Sequence, residues 1–585
     1  MARFALLTFA AVTLLLLVQL AGGPPALAQE WASANLGAAG LPSPNVPPQA
    51  GDGFAVALIS EASQGHSDLN GDGDATDAVP FVVDDSGALA NLRLAIDPHS
   101  WYRGVAGDSF LFVADEAFSG GQDLNGDGDA GDEVLHFYSR RNRRAVNLHL
   151  AVDGFLAGDP LSVLLVPESS GVDLNDDGDS GDRVAHLFDD RTGAVTNLHL
   201  AVASMWSVWL AGGTVAFGVS EVGQGMRDFN GDGDVMDNVL IAGAGKRLWS
   251  TRLAARAAWT NGEWLACPVY EASHGWSDLN GDGDMYDEVL HLVDLRSGEI
   301  LNERLALGYR GSSQDLYTPV FSAERLVFAV GEARQGGTDL DGDGDASDAV
   351  AHVIELDEGG VHDTRLALSE SSYYPMAVAE RQTALLVSEA ANGGRDLNGD
   401  GDLDDDVLHV VGANLRLRPW NIGLAGGSYY AGRMQWAGDE LLFVVPERNQ
   451  RQDRNGDGDT EDVVLHRLDS TGTATSVELA SGTFAVRKQV VVLAVAEAAQ
   501  GFDDLDGDGL VHGDVPFSLD LETSQVENLG YSIETHSGEL ALGDGFLLAP
   551  SREPWQVDRN GDGDWLDEVL VFARRSPASK VVLPQ

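Results

Sequence analysis

The chain has 585 residues, 36 basic and 92 acidic, for a net charge of −56. Such a surplus excludes binding to nucleic-acid phosphates or anionic membranes, because every contact would be repulsive. Hydrophobic residues make up 44%, enough to bury a core, and the single cysteine, Cys267, excludes an intramolecular disulfide framework.

The N-terminus reads as an export signal over residues 1–28. Arg3 precedes the apolar run Phe4–Val18, Gly22-Gly23-Pro24-Pro25 breaks any helix, and Ala26-Leu27-Ala28 is a small-x-small cleavage site. The mature chain is expected to begin near Gln29 and to be extracellular or periplasmic, with no membrane span after cleavage. Residues 29–50 form an N-terminal segment in which Asn35-Leu36 resembles the outer strand of the units that follow, a candidate for closing a ring; Lys580–Leu583 is a candidate from the other end.

Over residues 51–585 an acidic segment, first seen as Asp68-Leu69-Asn70-Gly71-Asp72-Gly73-Asp74, recurs ten times at a mean period of about 54 residues. Each unit reads as strands and turns. Thr214–Ser220 is an apolar strand before the acidic loop, Val289–Val293 a strand after it, and Val195–Leu200 a third beyond a glycine turn. A stretch such as Trp206–Leu210 then leads to the next turn, which makes four strands per unit and no helical period. The expected fold is all-β: a β-propeller of ten four-stranded units, as a single large ring or as two five-bladed rings. The longest interval, Asp278 to Asp339, marks a candidate seam near 300–325. A β-solenoid is the second reading, but its shorter periods and parallel strands fit less well.

The order of elements, carried here by Val215–Ser220, Val289–Asp294 and Asn197–Leu200, resembles the TolB-type, WD-like β-propeller repeat. The Ser-Pro-Asp-Gly turn typical of that family is Ala-Gly-Asp in this chain, as at Ala437-Gly438-Asp439.

The acidic loop carries the chemistry. Counting its first Asp as position one, oxygen ligands fall at positions one, three, five, seven and ten. In the first three copies these are Asp68, Asn70, Asp72, Asp74 and Asp77; Asp123, Asn125, Asp127, Asp129 and Asp132; and Asp173, Asn175, Asp177, Asp179 and Asp182. The next three have Asp228, Asn230, Asp232, Asp234 and Asp237; Asp278, Asn280, Asp282, Asp284 and Asp287; and Asp339, Asp341, Asp343, Asp345 and Asp348. The seventh, eighth and tenth have Asp396, Asn398, Asp400, Asp402 and Asp405; Asp453, Asn455, Asp457, Asp459 and Asp462; and Asp558, Asn560, Asp562, Asp564 and Asp567. The ninth keeps only Asp504, Asp506 and Asp508, since Leu510 and Gly513 replace its last two ligands and Asp514 is displaced by one residue.

Alternate oxygens around a glycine at position six suit a hard cation, and the absence of His and Cys from the set favours calcium. About nine or ten calcium ions are expected, the ninth site being the weakest. Position twelve is valine in every copy, so the loop is not an EF-hand and runs straight into a strand. It resembles the calcium loops of dockerins, thrombospondin type 3 repeats and the FG-GAP repeats of integrin-like propellers, all extracellular.

Three further patterns repeat. A glutamate ends the strand before each loop, as at Glu61, Glu271 and Glu447, either as an extra ligand or as an anchor for loop amides. Histidine follows position ten by four residues at His136, His186, His291, His352, His409 and His466, with a packing role favoured over a metal or catalytic one. Aromatics cluster before the inner strands (Trp101-Tyr102, Trp206 and Trp209, Trp259 and Trp264, Tyr373-Tyr374, Tyr429-Tyr430, Trp436), as inter-blade packing or as a platform for carbohydrate or protein ligands. The chain therefore reads as an exported, calcium-binding β-propeller serving as a binding or structural module. The alternative is a secreted propeller enzyme acting on carbohydrate, a glycosidase or lyase. No residue is assigned a catalytic role, because almost every acid belongs to the repeat.

Overall fold

A computed structural model describes residues 31–40, 47–97, 103–168, 172–310, 317–412, 419–427, 434–535, 540–554 and 556–575. The expected signal peptide, the start near Gln29, the pairs Trp101-Tyr102 and Tyr429-Tyr430, and Lys580–Leu583 lie outside them.

The strands form ten four-stranded antiparallel sheets. Blade 1 consists of Gln49–Gly51, Phe54–Ser60, Ala78–Asp84 and Leu89–Asn91, from inner to outer strand. The strand read over Thr214–Ser220 has those bounds; those read over Val289–Val293 and Val195–Leu200 extend to Glu288–Asp294 and Ala194–Ala201. The second and third strands of each blade read as continuous apolar runs because both their faces are covered. In blade 6, Leu326, Phe328 and Val330 pack against blade 5, while the alternating Val327 and Ala329 pack against blade 7.

Among the described residues ten apolar clusters form, and each joins two neighbouring blades, blade 5 to blade 6 and blade 10 to blade 1 included. The blades therefore form one ring, not two rings of five. Cys267 is buried in the cluster between blades 4 and 5, where desolvation pushes its thiol up to about 12. The outer strand of blade 10 is the N-terminal Trp31–Ala39, antiparallel to Glu568–Arg575 with Asn35 opposite Val571.

Outer strands slip against their neighbours in a recurring way. In blade 2, Val134 faces Ala151 but His136 faces Asn147, so one residue opposes three. His149 sits in the slip with φ 53°, and the Asn147 side chain donates to Leu124 O in the acidic loop at 2.8 Å. Asn91, Asn197, Asn302, Asn421 and Asn528 make the same tie in their blades. Because the strands alternate direction, the acidic loops and the outer-to-inner crossings emerge on the same face of the ring. Among the described residues, no helix is long and apolar enough to cross a membrane.

Candidate metal centre

The first acidic loop winds on hydrogen bonds from its own backbone. Asp68 accepts from the amides of Gly71 (2.6 Å) and Gly73 (3.2 Å), Asn70 Oδ1 from Asp72 (3.1 Å), Asp72 from Asp74 (3.0 Å) and Asp74 from Thr76 (3.0 Å). Each is a turn closed by a side-chain oxygen on a nearby amide, and together they curl the acids to one side. Gly73 takes φ 107°, a conformation that strains any residue with a Cβ.

Glu61 is fully buried beneath this loop. Its carboxylate accepts from the amides of Leu69 (2.5 Å), Asn70 (3.2 Å) and Asp77 (3.1 Å), and its own amide donates to Asp77 O at 3.0 Å. The glutamate thus anchors both ends of the loop. In blade 5, Glu271 holds Leu279 at 2.5 Å and Asp287 at 3.1 Å; in blade 8, Glu447 holds Arg454 and Asn455. It also stays close to the acids: one oxygen each of Glu61, Asp74 and Asp77 lie within 4.8 Å of one another, as do those of Glu116, Asp129 and Asp132, and of Glu271, Asp284 and Asp287. The structure therefore brings positions seven and ten together with the preceding glutamate, a grouping that spacing along the loop did not single out.

These carboxylates are short of partners. Buried oxygens of Asp177, Asp341, Asp348, Glu447 and Glu553 have no hydrogen bond. Burial pushes Asp77, Asp287, Asp348, Asp405 and Asp462 up to about 7, and Asp237 and Asp567 up to about 6, with repulsion from neighbouring loop carboxylates adding to the shift. Asp132 and Asp182 shift upward for the same reasons. An all-oxygen pocket with crowded, buried and unpartnered carboxylates fits a hard divalent cation. In the ninth loop, Leu510 is exposed and Asp514 accepts from the Thr535 hydroxyl.

The loops are linked around the ring. Asn280 donates to Asp287 Oδ2 at 3.3 Å and to Arg334 O of the next blade at 3.0 Å. Asn175, Asn230, Asn398 and Asn455 reach the following blade likewise, and Asn560 reaches Ser63 across the closure. Ligation alone would accept Asp at position three, yet eight of ten copies have Asn. That preference was the sequence signal for a donor. Among the described residues, arginines enter two sites from the next blade: Arg334 lies 3.4 Å from Asp287, and Arg451 bonds Asp402 Oδ2 at 2.7 Å and Asp400 O at 2.9 Å.

The six repeated histidines are buried, with Nδ1 2.9–3.1 Å from the carbonyl two residues earlier. Desolvation lowers His291 and His466 to about 4, so they stay neutral and structural. The aromatics divide. Trp209, Trp264 and Trp436 pack into seams between blades, whereas Trp206 is 90% exposed. Trp206 and Trp209 therefore form no paired stacking surface. Tyr373 and Tyr374 are exposed, and the Arg310 guanidinium lies 3.4 Å from the Tyr373 ring centroid.

No family model matches the chain, and no curated protein does. Solved propeller structures do. The β-propeller domain of the Trilobed protease from Pyrococcus furiosus matches at 10% identity and TM-score 0.28, over 73% of this chain and 95% of that one. An oligogalacturonate lyase from Vibrio parahaemolyticus matches at 10% identity and TM-score 0.27, over 71% and 86%. A prolyl endopeptidase matches at 9% identity and TM-score 0.30, over 83% of this chain; the chain spans 55% of that protein's length. At these scores the blade assignment rests on the strand pairing described above.

Proposed function

We propose that the protein is an exported β-propeller whose acidic loops bind calcium, and that it acts as a binding or structural module. The observation that carries this reading is the set of buried carboxylate oxygens without partners in Asp177, Asp341, Asp348, Glu447 and Glu553. A cation would satisfy them and relieve the repulsion among the loop acids. The N-terminal signal and the resemblance to TolB-type repeats and to dockerin and FG-GAP loops agree with an exported, calcium-rich setting. Within it, the cation's chemistry is charge neutralisation; the protein's part is to hold the loop shape through the buried glutamates and to pass order between blades through the loop asparagines. In blade 5 the buried Glu288, at the same position as Glu133 and Glu568 in the second and tenth copies, accepts from Tyr309 Oη at 2.8 Å and from Arg256, so that acid is committed to internal bonds.

The test is calcium titration of the mature chain by calorimetry, with melting measured in calcium and in chelator. Linkage predicts a higher midpoint in calcium even at affinities of about 10⁻⁴ M. Asp282→Ala should remove one site, while Asp508→Ala in the incomplete ninth loop should leave the stoichiometry nearly unchanged. An unchanged midpoint and no binding heat would reject the reading.

A further inference from the structure

The repeat provides an internal baseline: what ten loops share serves the scaffold, and what two share against the rest serves something else. Two positions lie at the loop's outer tip, the residue two before the first Asp and the residue at position nine. In eight of ten copies at least one of them is glycine or polar. Only the fourth and fifth copies are apolar at both, with Met226 and Met236, and Trp276 and Tyr286.

These side chains are exposed: Met236 by 78%, Met226 by 69%, Trp276 and Tyr286 by 61% each. Trp276 and Tyr286 meet edge to face, 6.1 Å between centroids at 89°. The two tips are contiguous. Asn230 of the fourth loop donates to Ser273 O at 3.4 Å, and Asp232 Cβ is 3.4 Å from where a Cβ on Gly275 would stand, next to Trp276. With Met285, the patch holds three of the chain's seven methionines.

We propose that this patch on blades 4 and 5 docks a polypeptide segment with apolar anchors flanked by lysine or arginine, which deepens the binding-module reading and rests on it for the ordered loops. Charge complementarity selects the partner, since each of these loops holds more carboxylates than one calcium ion neutralises, and a chain of net charge −56 stays strongly negative when loaded. A second copy would bring the same charge and be repelled. Three flexible thioethers beside an edge-to-face pair suit varied side chains better than the flat face of a sugar ring.

The probe is a synthetic amphipathic Lys/Leu peptide, compared with a Lys/Ser peptide of equal length and charge, on the calcium-loaded mature chain. The wild type should bind the Lys/Leu peptide about tenfold tighter or more, as expected for burying one or two large apolar side chains. Met236→Ser/Trp276→Ser/Tyr286→Ser should erase that difference while leaving Lys/Ser binding unchanged; Phe502→Ser/Leu566→Ser, at the tips of blades 9 and 10, should keep it. No discrimination in the wild type, or discrimination that survives the triple substitution, overturns the proposal. So does Trp276-dependent self-association in sedimentation, or Trp276-dependent binding of neutral oligosaccharides in place of the peptide. Calcium titration of the same samples separates the two readings: normal loading without discrimination rejects the docking surface alone, and discrimination without loading rejects the metal reading alone.

Discussion

Asn35 donates through its side-chain amide to the carbonyl oxygen of Arg559 at 2.8 Å, across 524 positions of sequence. Asn147 makes the equivalent bond to Leu124 at 2.8 Å within the continuous chain of blade 2. Each asparagine also caps an amide two residues on, Gly37 at 2.9 Å and His149 at 2.7 Å. The N-terminal strand thus performs in blade 10 the task that a local outer strand performs elsewhere.

The join between Trp31–Ala39 and Glu568–Arg575 is held by hydrogen bonds and packing, with no covalent turn between the strands. Asn35→Ala should therefore open the ring more readily than its matched control Asn147→Ala. Each loses about 1 kcal/mol of bonding, but only the first loosens a strand free to peel away. Unfolding rates in denaturant should rise more for Asn35→Ala; equal rates would show that the closure is not the weak point.

The roles of the loop acids can be separated in blade 5. Glu271 holds the amides of Leu279 and Asp287, whereas Asp284 faces the same cluster from position seven. Glu271→Ala leaves buried amides without an acceptor, at a cost of about 1–3 kcal/mol or more, and should lower the midpoint both in calcium and in chelator. Asp284→Asn should lower it only in calcium. If Glu271→Ala behaves like Asp284→Asn, the glutamate serves mainly as a ligand.

Much of this was legible in the sequence. Thr214–Ser220 could be bounded because its apolar run is closed by a glycine turn before it and an acidic loop after it, and the ten loops made the blade count countable. What could not be read depends on neighbouring blades. Whether Glu61 bound metal or amides was open because both uses need the same buried carboxylate, and only the fold places Leu69 and Asp77 over it. Trp206 and Trp209 looked alike, yet a turn of 3₁₀ helix at Met205–Ser207 leaves one in solvent and the next strand carries the other into a seam. The choice between one ring and two needed the cluster that joins blades 5 and 6.

Arg451 makes the seventh loop a special case. Its guanidinium, coming from blade 8, bonds Asp402 and lies 3.6 Å from Asp400, so a fixed positive charge already offsets two of the proposed ligands. Arg451→Gln should tighten calcium binding at this loop severalfold, by removing a competing cation, and should destabilise the protein in chelator. A site-resolved titration with a lanthanide in place of calcium would report the change. Weaker binding in the variant would mean that Arg451 shapes the site rather than competes for it.

Stability without calcium should depend on pH. Asp77, Asp287, Asp348, Asp405 and Asp462 stand at about 7 in the folded chain, chiefly because they are buried, against about 4 for an unperturbed carboxyl. A carboxyl raised on folding favours the folded state while protonated. Its contribution is full below about pH 4 and is lost as pH rises through about 7. In chelator the midpoint should therefore fall between about pH 5 and pH 8, and the net charge of −56 pushes the same way. Calcium takes the place of those protons, so saturating calcium should remove most of the fall, and its apparent affinity should weaken as pH drops below about 7. Asp77→Asn supplies the neutral form permanently: it should flatten the chelator profile slightly and abolish loading of the first loop. A chelator midpoint that rises with pH over this range would mean that the loop acids are not crowded as the geometry requires.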